Sequence, residues 1–140
     1  MAVISLRWAS SDKVSGSSSP AIIASIGGEG IGVESFQYLR DGYSRIASPE
    51  AGKVTIFGKT SASQVVERVL LRLTLQKWNG SAWEDLGSWQ FEDVNTFSVS
   101  GSKTVQVSDG YYYRAKGFHQ VTENGTPESA NSFSSYILVD

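Results

Sequence analysis

From Val65 to Gln76 the side chains alternate, with Val65, Glu67, Val69, Leu71, Leu73 and Leu75 on one side and Arg68, Arg72, Thr74 and Gln76 on the other. A period of two places every second residue on the same face of an extended strand. The pattern therefore predicts a strand over Val65–Trp78 whose odd face is apolar apart from Glu67. A helix over the same residues would collect Arg68 and Arg72 on one side and scatter Leu70, Leu71 and Leu75 around the rest. The turn signal at the end of the run disfavours that alternative. Asn79-Gly80-Ser81 sits between Gln76-Lys77-Trp78 and Ala82-Trp83-Glu84, and Asn-Gly is a strong hairpin signal because both residues accept positive φ. Two long strands are expected to return on each other.

The rest of the composition agrees. Ser occurs 23 times, Thr 7 and Gly 14 in 140 residues; these residues favour turns and weaken helices, and runs of Ala, Leu, Glu and Lys are missing. After the hairpin, Trp83–Phe91 reads as a strand with a bulge near Gly87, since Trp83, Leu86, Trp89 and Phe91 keep no single period of two. Thr96–Val99 and Lys103–Val107 read as two strands joined through Ser100-Gly101-Ser102. Asp109-Gly110 turns the chain into Tyr111–Val121, with Tyr111, Tyr113, Ala115, Gly117, His119 and Val121 expected inward and Tyr112, Arg114, Lys116, Phe118 and Gln120 outward. Glu123-Asn124-Gly125-Thr126 supplies the next turn, Pro127 shortens the pairing beyond it, and Phe133–Val139 closes the chain as a strand. Earlier, Tyr43–Ala47 and Lys53–Lys59 flank Pro49-Glu50-Ala51-Gly52. Strands at this spacing, separated by turn signals, predict an all-β antiparallel sandwich over residues 35–140.

Residues 1–34 read as an extension. Ile4, Leu6 and Trp8 alternate with Val3, Ser5, Arg7 and Ala9, a strand-like segment, and Ser15-Gly16-Ser17-Ser18-Ser19-Pro20 is a linker by composition. Gly27-Gly28-Glu29-Gly30-Ile31-Gly32 is glycine-rich but lacks the Lys-Ser/Thr ending of a phosphate-cradling loop, so a plain loop is expected.

The last hundred residues resemble an immunoglobulin or fibronectin type III sandwich in pattern. Tyr111-Tyr112-Tyr113-Arg114-Ala115-Lys116-Gly117, then Glu123-Asn124-Gly125 and Glu128-Ser129, are similar to the penultimate strand, hairpin and last strand of a type III module. Leu73 to Leu86 resembles its central hairpin. That resemblance implies a tyrosine corner carried by Tyr111 or Tyr113. The same stretches also resemble an uncharacterised family of small secreted proteins of Gram-positive spore-forming bacteria, which implies an extracellular or cell-surface location and no particular chemistry.

Charge and residue chemistry narrow the function classes. Twelve basic and 14 acidic side chains give a formal charge of −2, which disfavours nucleic acid as a partner. No stretch reaches the roughly 20 apolar residues of a spanning helix. Without cysteine there is neither disulfide nor thiolate site. His119 is the only histidine, so a triad or a metal centre would have to be built on it alone; the expectation is a half-buried strand residue with one ring nitrogen bonded to backbone. Glu84/Asp85 and Glu92/Asp93 are adjacent pairs that point to opposite faces, unlike the facing carboxylates of a glycosidase, and Glu123 and Glu128 are expected to be solvated. No cofactor, metal site or enzymatic activity is expected.

Two non-enzymatic readings remain. In the first, Val3, Ile4, Leu6 and Trp8 donate a strand to the open sheet edge of a neighbouring copy, giving an oligomer or filament of the same chain; the alternative is that the segment folds back on its own domain. In the second, Trp78, Trp83 and Trp89 of the hairpin bind polysaccharide, helped by Gln76, Asn79 and Gln90. Tyr112 and Phe118 would add a ligand or partner surface.

Overall fold

The computed structural model describes residues 36–140. The strands are β1 (Leu39–Ala47), β2 (Lys53–Trp78), β3 (Trp83–Gln106), β4 (Tyr112–Glu123), β5 (Thr126–Phe133) and β6 (Ile137–Leu138), with no helix among the described residues. All pairings are antiparallel.

The fold is organised by one very long hairpin. β2 runs for 26 residues and β3 for 24, and their ladder breaks once in the middle: Ser61 pairs with Ser98, and the next pair is Val66 with Thr96. The surplus residues on β2 form a bulge, a device that bends a strand and increases its twist. Asn95 on the facing strand takes a φ of 51°. The hairpin thereby curls over, and its two halves face each other. A Cβ on Gly58 would lie 2.8 Å from Leu73 Cδ2, and one on Gly101 would lie 2.5 Å from the Phe91 ring. Layer one is β1, the first half of β2 and the second half of β3. Layer two is the first half of β3, the second half of β2, β4 and β5, with β6 continuing beside the start of β4. The result is a sandwich-like, curled antiparallel sheet.

The bulge also switches the parity of the buried face, because a one-residue phase change sends every later side chain to the opposite side. Val54, Ile56 and Ala62 point inward at even positions before it; Val69, Leu71, Leu73 and Leu75 point inward at odd positions after it. Between the layers they pack with Ile46, Tyr113, Ala115, Ile137 and Val139, while Leu39, Val66 and Val121 extend the core toward the bend.

Several expectations are corrected here. Val65 is 57% exposed whereas Val66 is 2% exposed, because the bulge lies at the start of the alternating run. Ser100-Gly101-Ser102 is not a turn: Gly101 pairs with Gly58 inside β3, which is continuous from Trp83. Glycine is required there by the close approach of Phe91, not by a reversal. In the 79–82 loop only Gly80 has positive φ, 102°; Asn79 instead accepts bonds from the backbone N–H groups of Ser81 and Ala82 through Oδ1, an Asx-type turn. The expected bulge near Gly87 falls at Leu86, since Leu75 pairs with Gly87 and Gln76 with Asp85. The expected Phe133–Val139 strand is broken: β5 occupies Thr126–Phe133, with Pro127 paired to Thr122 within it, and of the expected stretch beyond Phe133 only Ile137–Leu138 forms a strand.

Candidate functional site

The outer surface of layer two is a lattice of interlocked polar side chains. It arises from the register: Gln76 lies between Asp85 and Arg114, Thr74 between Ser88 and Lys116, and Arg72 between Gln90 and Phe118. Gln76 Nε2 donates to Asp85 Oδ1 at 2.8 Å, and Arg114 Nε donates to Gln76 Oε1 at 2.7 Å. Thr74 and Ser88 share a hydroxyl bond of 2.7 Å, and Arg72 donates to Gln90 Oε1 at 2.9 Å. Arg68 and Glu92 form an ion pair at 2.6 Å, and hydrogen bonds from Arg68 and then Gln90 hold the Glu92 carboxyl below its ordinary range.

Aromatic rings cover one end of this lattice. Trp78 and Trp83 are cross-strand neighbours with centroids 5.4 Å apart, and Trp83 lies 6.2 Å from Tyr136. The Arg114 guanidinium is clamped between the Trp83 and Phe133 rings, 4.4 Å from each centroid. Arg114 is only 7% exposed. Its Nη1 is buried and has no hydrogen-bond partner. Burial lowers its pKa to about 10, against the opposing attraction of Asp85. Arg72 in turn covers Phe118, 5.3 Å from the ring centroid.

The residues singled out in the sequence separate in space. Trp78, Trp83 and Phe118 are half-buried on this outer surface. Trp89 is not with them: it pairs with the inward-facing Leu73, packs against the interlayer core and has Lys103 Nζ 5.8 Å from its ring. The bulge at Leu86 causes this, by changing the parity between Trp83 and Trp89. Tyr112 is corrected more strongly. Expected outward, it has no exposed surface, packed edge-on to Tyr136 at 5.3 Å and paired with Leu138 of β6. No alternation marks Phe133 and Tyr136 as partners of the hairpin, because β5 ends between them and the register along β4 slips by one residue, from Lys116 opposite Phe133 to Tyr113 opposite Ile137. Val3, Ile4, Leu6 and Trp8 lie outside the described residues.

His119 is fully buried between the layers, not half-buried, and both ring nitrogens bond hydroxyls, not backbone. Nδ1 is 2.8 Å from Thr60 Oγ1 and Nε2 is 2.7 Å from Ser132 Oγ. Thr60 Oγ1 donates its hydrogen to Leu70 O at 3.0 Å, so it must accept from Nδ1–H. Nε2 then accepts from Ser132, whose oxygen accepts from Ser44 at 3.0 Å. The ring is thus neutral, and burial lowers its pKa to about 4. Glu128 was expected to be solvated, but its carboxylate accepts the backbone N–H groups of Gln37, Tyr38 and Leu39, fastening β5 to the entry of β1. Among the described residues no three metal-ligating side chains gather, and no helix is long and apolar enough to cross a membrane.

The model of a family of unknown function, DUF6147, matches residues 24–136. The chain belongs to that family. Among solved structures, it is similar to the solution structure of CsgH from R. palustris, with 18% identity over 65% of this chain and 90% of that one and a TM-score of 0.35. No curated protein matches it.

Proposed function

We propose that this chain is a non-enzymatic extracellular or cell-surface structural protein that self-associates by donating its N-terminal segment to the β3 edge of a neighbouring copy. The observation that carries the reading is β3 itself. Over 24 residues it pairs with β2 on one side, and no strand pairs its other side among the described residues. A long open edge is a template for strand addition. Its two faces also match the donor. Toward the core, β3 presents the partly buried Trp89, Phe91, Val99 and Val105; outward it presents Asp85, Gln90 and Glu92. Ile4, Leu6 and Trp8 would extend the apolar side, and Ser5 and Arg7 the acidic, polar side. The type III likeness is supported by Tyr113, whose hydroxyl donates to Ser108 O five residues upstream at 2.7 Å, the tyrosine-corner geometry. Light scattering on the full chain and on a variant lacking residues 1–19 tests the assembly. Oligomers lost on deletion support it; a full chain that is already monomeric, or assemblies that survive deletion, refute it.

A second reading, polysaccharide binding, is favoured by one observation: the half-buried rings of Trp78, Trp83 and Phe118 border a hydrogen-bonded polar lattice on layer two. Flat aromatic faces beside fixed donors and acceptors are what sugar rings and hydroxyls require. Quenching of tryptophan fluorescence by soluble polysaccharides tests it, and a flat titration removes it.

A further inference from the structure

We infer that the polysaccharide suited to the outer face of layer two is an acidic one, whose sugar carboxylates seat along Arg72, Lys116 and Arg114. The inference rests on the sugar-binding reading and adds the charge of the ligand. Arg68, Arg72, Arg114 and Lys116 share this face with Asp85 and Glu92, a surplus of two positive charges on a chain whose formal charge is −2. Apart from the Arg68–Glu92 ion pair, the two signs are also separated. The carboxylates lie on the edge strand β3, and the cations on β2 and β4 toward the middle of the sheet. Arg114 and Lys116 follow the two-residue repeat of their strand, about 7 Å. A chain carrying a regularly repeated carboxylate can meet such a stripe more than once.

Arg114 is the second, independent pointer. Its nine-tenths-buried guanidinium has one bond, from Nε to Gln76. The nearby Asp85 presents Oδ1 to the Gln76 amide and not to Arg114, and Nη1 has no acceptor. A buried cationic donor without an acceptor is costly, and a carboxylate is its strongest complement. Trp83 and Phe133 hold the guanidinium plane in place from either side. Trp83 stacks on that guanidinium, which makes its indole the reporter of binding.

The full chain is titrated with polygalacturonate, with the neutral glucan pullulan and with polyglutamate, and tryptophan emission is followed at low and at high NaCl. The inference expects polygalacturonate to bind and to weaken with salt, with pullulan and polyglutamate much weaker. Arg72→Gln and Lys116→Gln, both on the surface, should each weaken it about fivefold, and Arg114→Gln should weaken it further. Binding of pullulan as tight as polygalacturonate would leave sugar binding standing and overturn the assignment of charge. Equal response to polyglutamate overturns the polysaccharide in favour of any polyanion, and unaltered binding by both surface variants moves the site elsewhere. Silence toward both sugars sinks this inference together with the reading beneath it.

Discussion

Acidification from pH 7 to pH 5 should remove about 2 kcal/mol of stability through His119 alone. The ring has no exposed surface, and both nitrogens are engaged by Thr60 and Ser132. It has no carboxylate among these partners, so protonation would place an uncompensated charge between the layers. It would also force Ser132, now donating to Nε2, to reverse its bond and accept, and Ser44 behind it to adjust in turn. The folded pKa is about 4 against an ordinary 6.5. Because the folded value is depressed, the unfolded chain binds the extra proton between those values, and stability falls as pH drops through that window. Linkage with these two values gives a loss of about 2 kcal/mol at pH 5 and about 3 kcal/mol at pH 4. Urea unfolding followed by tryptophan fluorescence at pH 7, 6 and 5 measures it. His119→Gln keeps a donor and an acceptor but does not titrate, so its stability, lower than wild type at pH 7, should stay nearly level across the same range. Parallel losses in both proteins between pH 7 and 5 would refute the assignment.

The bulge predicts opposite sensitivities at adjacent positions: Val66→Ala should cost about 2 kcal/mol in chemical denaturation, whereas Val65→Ala should stay within about 0.5 kcal/mol. Tyr113→Phe should lose about 1 kcal/mol by removing the bond to Ser108 O, and spectrophotometric titration of the wild type should find a tyrosine pushed by burial to about 12. Gly42→Ala places a Cβ 2.5 Å from the His119 ring and should cost about 1–3 kcal/mol by overpacking, read as a lowered melting temperature. Desolvation alone would raise the Glu128 carboxyl, but the backbone N–H groups of Leu39, Tyr38 and Gln37 outweigh it and hold the group below its ordinary range. Above the unfolded carboxylate pKa that carboxylate is charged and stabilising; below it the contribution fades, so the protection factors for hydrogen exchange at Tyr38 and Leu39 should fall in acid and in Glu128→Gln.

What the sequence disclosed was local. Alternation over Val69–Leu75 identified the central strand and its apolar face because both neighbours of that strand continue the same pleat. Asn79-Gly80 located the hairpin, and the alternation of Tyr113, Ala115, His119 and Val121 located β4 and its inward face. What stayed hidden depends on pairing between distant segments. The Ser61–Val66 bulge leaves no period of its own, so alternation places Val65 on the apolar face although it is exposed. Tyr112 occupies an outward position by parity and is buried only because the chain after β5 lays Tyr136 and β6 against it. The Gln76, Asp85 and Arg114 row joins residues from three strands, and nothing in any one of those strands marks it.

The curl of the β2–β3 hairpin bears on both proposed activities at once. Since β3 crosses from layer two to layer one at Asn95, a strand added along its outer edge beyond that point belongs to one layer, and a strand added before it to the other. Only the stretch before Asn95 carries Asp85 and Glu92, the carboxylates that rim the cationic face. A donor paired there would set Arg7 near those carboxylates on the same outer surface, extending the positive stripe across the sheet. Strand donation to that half should therefore strengthen acidic-polysaccharide binding, while donation to the layer-one half should leave it unchanged. The two halves can be distinguished by asking whether polygalacturonate shifts the assembly to larger sizes in light scattering. If it leaves the size distribution of a self-associating chain untouched, the edge and the face act independently and the donor does not pair beside Glu92.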